Sequence, residues 1–228
     1  MSTPIFFIPG FHGSDSTHWQ TWLQNRLPDS EVLRDVDWEF PELSSWADQA
    51  HAQLATLGRP ALLVAHSFGC LVAAVVAAEL PGSVAGILFV APANPNRFAA
   101  EGGVRNTRFD GTPQAVRSTA DILPERLPAR IPTTLLASEN DPWLSFSDAL
   151  VIARRWNSHL VGLGEAGHVN IDSGYGPWPG LLRQLRAWRA QTTPDFSTLH
   201  RAALESGYLV FEPGELAPVQ LQGLHLTL

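Results

Sequence analysis

Residues 61–80 constrain the fold more tightly than any other stretch of the chain. They read Ala-Leu-Leu-Val-Ala-His-Ser-Phe-Gly-Cys-Leu-Val-Ala-Ala-Val-Val-Ala-Ala-Glu-Leu, two apolar segments divided by the polar pair His66-Ser67. The first segment is short and follows Gly58 and Pro60, which is the pattern of a buried strand. The second is longer, rich in alanine and closed by Pro81-Gly82, which is the pattern of a buried helix. No loop residues separate them, so the chain must reverse at Ser67. Ala65 and Gly69, two residues either side, are small, as a corner pressed between sheet and helix requires. A corner of that kind holds the serine hydroxyl clear of the sheet.

Composition limits what surrounds this corner. At 228 residues, with 45% hydrophobic and 16% charged residues, the chain suits one α/β core and is short for two ordinary domains. A net charge of -7 argues against nucleic acid as a partner and gives no reason to expect an anionic membrane surface. All fifteen basic residues are arginine, so Schiff-base chemistry and a P-loop phosphate clamp, which need a lysine amine, are excluded. The single cysteine, Cys70, rules out an internal disulfide and multi-cysteine metal sites. Ile5 to Ile8 is too short for a signal peptide or a membrane span, and the expected compartment is the cytoplasm.

Apolar runs at Ile5 to Ile8, Ala61 to Ala65, Val84 to Val90, Thr133 to Ser138 and His159 to Leu163 predict buried strands, with a short one at Glu31-Val32-Leu33. Helical stripes alternate with them. Trp19, Trp22, Leu23 and Leu27 form one, with Asp15 or Ser16 as N-cap. Leu43, Trp46, Ala47, Ala50, Leu54 and Leu57 form another, in which Ser45 and Asp48 have capping-box spacing. Ser145 to Trp156 and Trp178 to Arg189 complete the set, and Arg183, Arg186 and Arg189 of the last are expected on a solvated face. The alternation implies a mostly parallel sheet with helices on both faces. Residues 91–132, rich in Pro, Gly, Asn and Arg, predict a long excursion with one or two short helices, anchored at Ala115-Val116 and Ile122-Leu123. The expected organisation is one domain over 1–190 and a C-terminal extension over 191–228. That extension reads as a helix near Phe196 to Leu204, then Tyr208 to Phe211, a Pro213-Gly214 turn and Val219 to Leu228 as a hairpin. Such a hairpin could join this sheet or that of a second copy, making 191–228 the candidate route to a homo-oligomer.

A serine hydroxyl needs a base to take its proton and an acid to hold that base. In a parallel α/β sheet these groups gather beyond the carboxyl ends of the strands. After Thr133 to Ser138 comes Glu139-Asn140-Asp141-Pro142-Trp143, which offers Asp141; Glu139, Asp148 and Asp172 are rival carboxylates near the same end. After His159 to Leu163 comes Gly164-Glu165-Ala166-Gly167-His168-Val169-Asn170, which offers His168. Ser67, Asp141, His168 is the chain order of an α/β-hydrolase. An oxyanion hole would take the backbone N–H of Phe68 and that of Phe11, with His12 as second choice. His12 and Trp143 are candidate pocket residues, with Phe11 and Phe68 beside them and Trp178 a weaker candidate. Cys70, three residues into the helix, reads as a small buried hydrophobe, and His66 as structural, pointing away from the serine. His12, Asp15 and His18 lack the matching cluster a metal site would need, so neither metal nor cofactor is expected.

Four separated motifs carry a resemblance: His66-Ser67-Phe68-Gly69-Cys70, Gly10-Phe11-His12-Gly13-Ser14 leading to His18-Trp19, Asn140-Asp141-Pro142, and Gly164 to Asn170. Over roughly residues 4–190 the chain is similar to the small serine hydrolases of the retinoblastoma-binding protein nine and YdeN type. The resemblance implies an α/β-hydrolase fold with little or no lid, with Ser67 as nucleophile, Asp141 as acid and His168 as base. No Leu-x-Cys-x-Glu stretch surrounds Cys70, so retinoblastoma binding is not implied. The segment after about 191 exceeds what such a compact hydrolase needs, and the resemblance says nothing about it. The expected function is a cofactor-independent serine hydrolase cleaving small acyl esters through an acyl-enzyme, with a small-molecule acyl substrate as partner. The alternatives are an interaction module that keeps the fold with little turnover, and an acyltransferase using the same three residues.

Overall fold

The computed structural model describes residues 2–98, 119–191, 194–205 and 207–211. The Ala115-Val116 anchor, the Pro213-Gly214 turn and the expected strand at Val219 to Leu228 lie outside these residues. Within them the elements follow in the order β1 (Ile5–Ile8), α1 (Trp19–Gln24), β2 (Ser30–Val32), α2 (Leu43–Thr56), β3 (Ala61–Ser67), α3 (Phe68–Glu79) and β4 (Val84–Pro92). Then come α4 (Thr119–Ile122), β5 (Thr133–Ala137), α5 (Phe146–Arg155), β6 (His159–Gly162), α6 (Pro179–Trp188), α7 (Ser197–Glu205) and β7 (Val210–Phe211).

The strands form one sheet in the order β2-β1-β3-β4-β5-β6-β7. Every pairing is parallel except that of β6 with β7, where Leu160 faces Phe211 and Val161 faces Val210. The chain moves outward from β1 to β2, then returns across β1 to β3 and proceeds the other way. Between β1 and β3 the connections therefore leave in opposite directions and open a crevice at the carboxyl ends. Ser67 and Gly10 stand there.

Strand alternation decides which side chains meet which helices. Ile5, Phe7, Leu62, Val64, Leu88 and Val90 pack with Trp19 and Leu23 of α1 and with Leu181, Leu182, Leu185 and Trp188 of α6. Phe6, Ile8, Leu63, Ala65, Ile87 and Phe89 pack on the other side with α2, α3 and α5. This is why the strands read as continuous apolar runs. Each fully buried Leu, Ile, Val or Phe contributes roughly 1.5–3 kcal/mol relative to exposure. Helix α3 is buried from Phe68 through Ala77. It is wedged between the sheet and α2, so it has no polar face to show.

Helix entry differs from the sequence expectation at two places. Helix α1 is capped by His18, whose Nδ1 accepts from the Gln20 N–H, and Asp15 instead folds the preceding turn by accepting from Thr17 and His18. Helix α2 starts before the Ser45-Asp48 spacing suggests: Glu42 is its N-cap, and its carboxylate accepts from the N–H groups of Ser44 and Ser45. A carboxylate there satisfies orphan donors and opposes the positive helix end, so it outcompetes a hydroxyl. Helix α6 holds a third difference. Arg183 and Arg186 are exposed, but Arg189 is buried, donating to Asp29 at 3.2 Å and Ser2 at 3.1 Å. Of the expected Tyr208 to Phe211 piece, Val210–Phe211 form β7, while Phe196 and Ala203 enter the same core as α6.

Candidate active site

At the end of β3 the backbone of Ser67 has φ 54° and ψ -125°, and α3 begins at the next residue. A non-glycine residue in such a region costs on the order of 1–3 kcal/mol, sustained only where the surroundings enforce it. They do. Gly69 lies so close to the loop after β1 that a Cβ there would overlap the carbonyl oxygens of Ile8 and Pro9. A Cβ on Gly10 would come within 2.6 Å of the Ser67 Cβ. The two glycines let the β1 loop and the corner close on each other.

Asp141, His168 and Ser67 form one hydrogen-bonded line. The Asp141 carboxylate takes the Nδ1–H of His168 at 2.9 and 3.0 Å, and His168 Nε2 lies 2.8 Å from Ser67 Oγ. With Nδ1 donating to Asp141, Nε2 is left to accept from the serine hydroxyl. The side chains of His168 and Asp141 are 7% and 3% exposed, which keeps bulk water from competing. Of the rival carboxylates, Glu139 and Asp172 are exposed and Asp148 bonds Ser145 at its own helix start. None of them is on the imidazole.

Both loops beyond β5 and β6 are tied together. Asn140 Oδ1 accepts from the Gly167 N–H at 2.6 Å and from Ser138 Oγ at 2.9 Å, while Ser138 Oγ accepts from the Ala166 N–H. Ser173 Oγ accepts from the His168 N–H and donates to Asn170. Gly167 has φ 57°, and a Cβ there would overlap Ser173 Oγ.

The oxyanion candidates separate cleanly. The His12 N–H is spent on the Trp38 carbonyl at 3.0 Å, whereas the Phe11 amide has no partner among the described residues. The Phe68 amide opens α3, where the first N–H groups lack intrahelical acceptors. The side chains behave otherwise than expected. Phe68 is fully buried against Trp46 and Phe98 rather than facing a pocket. His12 stacks on Phe11 and turns its Nδ1 to Glu39 at 3.3 Å, lining a separate cleft of about 700 Å³ beside Trp38, Asp15 and Asp35. Trp143 lies beside His168, the two rings 5.6 Å apart, and Trp178 packs instead on Trp19 and Tyr175. Cys70 is buried, and burial pushes its thiol well above the ordinary range, so it is no rival nucleophile.

Sequence reasoning missed Phe98 and Arg97. Phe98 stands between Phe11, Phe68 and Trp143, and Arg97 lies over the Trp143 ring at 4.9 Å while bonding the Pro142 carbonyl. They belong to an irregular stretch with no periodicity to mark them. His66 carried a signal that was legible: it shares strand parity with Leu62 and Val64, so a polar ring enters an apolar face and must find a partner.

Comparison with known proteins gives the family and the fold. A family model described as serine hydrolase matches residues 5–187. A YdeN-like hydrolase of Pectobacterium atrosepticum is 32% identical, covering 85% of this chain and 94% of its own, with a TM-score of 0.70. The YdeN hydrolase of Bacillus subtilis is 34% identical over 74 residues, a stretch that spans 39% of that protein and 31% of this one. The structure of the B. subtilis ydeN product superposes with a TM-score of 0.59 at 22% identity over 83% of this chain, a likeness of fold. The chain belongs to the serine hydrolase family and has the α/β-hydrolase fold.

Proposed function

We propose that the chain hydrolyses small acyl esters with Ser67 as nucleophile, His168 as general base and Asp141 as the acid that orients it. The observation that carries this reading is the unbroken line from Asp141 through His168 to Ser67, ending on a strained corner. Ser67 Oγ attacks the ester carbonyl carbon as its proton passes to His168 Nε2. The N–H groups of Phe68 and Phe11 stabilise the oxyanion. The tetrahedral species collapses, the carbon–oxygen bond to the alcohol breaks, and His168 returns the proton to the departing oxygen. Water, deprotonated by the same imidazole, then cleaves the acyl-enzyme and regenerates Ser67. The rings of Phe11, Phe98 and Trp143 around the triad favour a compact acyl group. Hydrolysis of chromogenic esters of graded chain length, compared with Ser67→Ala, tests the proposal. The substitution is expected to lower kcat about 10⁴-fold or more. Undiminished turnover by Ser67→Ala would refute it.

A further inference from the structure

Beneath the base, on the side of the sheet away from α3, two buried ring N–H groups converge on consecutive carbonyls of the His168 loop. His66 Nε2 lies 2.9 Å from the carbonyl oxygen of His168. Trp19 Nε1 lies 2.9 Å from the carbonyl oxygen of Val169. A carbonyl only accepts, so His66 must carry its proton on Nε2. The two donors come from different elements, β3 and the first position of α1, and their rings meet edge to face at 5.8 Å. The loop they hold is not one that rests in place unaided. Val169 has φ 49°, a left-handed conformation that a β-branched residue adopts only under constraint.

We propose that His66, with Trp19 beside it, is a positioning residue for the reaction: its ring N–H fixes the backbone of His168 so that Nε2 meets Ser67 Oγ. The proposal rests on the triad reading above. His66 immediately precedes Ser67 in the same strand, so one rigid residue ties the nucleophile's backbone to the base's backbone independently of the triad contacts. Nucleophile and base would otherwise be related only through the sheet and two loops. An anchor here must also stay uncharged, because a positive charge would oppose the imidazolium that forms on His168. Burial, with His168 and His18 as neighbours, holds His66 well below its ordinary 6.5. His18, 5.1 Å away and next to the ring, is held down to about 4 chiefly by burial. Of the three histidines, only His168 has its ring hydrogen-bonded to a carboxylate, Asp141, whereas Asp15 bonds the backbone N–H of His18 and not its ring.

Three variants of the full chain test this: His66→Leu, which removes the donor at similar size; His66→Gln, whose Nε2–H can stand in for it; and Trp19→Phe, which removes only the second donor. His66→Leu is expected to lower kcat for a p-nitrophenyl ester on the order of 10²-fold, as misplacement of a reacting group does. KM is expected to stay within about twofold, since the ester-binding walls are untouched. His66→Gln should recover most of the loss, and Trp19→Phe should show a smaller loss of the same kind. In ¹⁵N-histidine-labelled protein, the downfield Nδ1–H resonance of the Asp141–His168 bond should broaden or move in His66→Leu and return in His66→Gln. Unchanged kcat and an unchanged resonance in His66→Leu would overturn the proposal, as would a His66→Gln variant equally impaired at the same Tm. Wild-type protein that neither turns over esters nor reacts with a fluorophosphonate would instead defeat the triad reading, and the resonance would still decide the role of His66.

Discussion

The corner at Ser67 and the loop bearing His168, the proposed nucleophile and base, are built on opposite plans. The corner at Ser67 is assembled from residues close in sequence and from one neighbouring loop. Small residues at 65 and 69 and Gly10 let three backbone segments touch, and its walls are backbone atoms that cannot yield. The base loop is assembled from afar. Asn140 and Ser138 hold it from the loop after β5, His66 from β3 and Trp19 from α1, all through side chains. The corner therefore resists by sterics, and the loop by hydrogen bonds that can be lost one at a time.

A matched pair of glycine substitutions separates the two plans and carries the largest expected effects. Gly69→Ala drives a methyl into the backbone carbonyls of Ile8 and Pro9, with nowhere for either to go. It should destabilise by about 3 kcal/mol, the upper end for overpacking, and abolish activity, as read by urea unfolding and ester hydrolysis. Gly167→Ala meets only the Ser173 side chain, whose hydroxyl can rotate away and whose Cβ, 2.8 Å off, must shift slightly, so its stability cost should be about 2 kcal/mol, the left-handed backbone included. Its kcat should nevertheless fall, because Ser173 then releases the His168 N–H. Equal stability losses in the two variants would erase the distinction.

A smaller effect probes the buried ground under the base loop. Burial holds His18 at about 4 against an ordinary 6.5, and His200 is lowered in the same way. Between those values the unfolded chain binds protons that the folded chain refuses. Stability is therefore fully present above pH 6.5 and declines as pH falls toward 4. His18→Asn keeps an acceptor at the N-cap and removes the titration. Urea midpoints at pH 7.5 and 4.5 should converge in this variant relative to wild type; an identical pH dependence would contradict the assignment.

The same contrast explains what could be read in the sequence. The corner was legible because a buried strand, a polar pair and a buried helix are contiguous, and their spacing alone forces the reversal at Ser67. Asp141 and His168 were legible because each follows the strand that presents it. Contacts that depend on three-dimensional juxtaposition were not. Arg189 falls on the polar side of a helical wheel, yet Asp29 and Ser2 meet it there and bury it. Phe98 lies in a stretch without period, and its role appears only once Phe11, Phe68 and Trp143 surround it. His66 was expected to point away from the serine and does, but its bond to the carbonyl of His168 spans 102 residues and leaves no local trace.

The central claim is that the corner serine is activated by His168. Reaction of the folded protein with a fluorophosphonate, followed by peptide mass spectrometry, tests it most directly. The expected result is a single adduct on Ser67 that disappears in His168→Ala while the variant remains folded. An adduct on another serine, or none on folded wild-type protein, would contradict it.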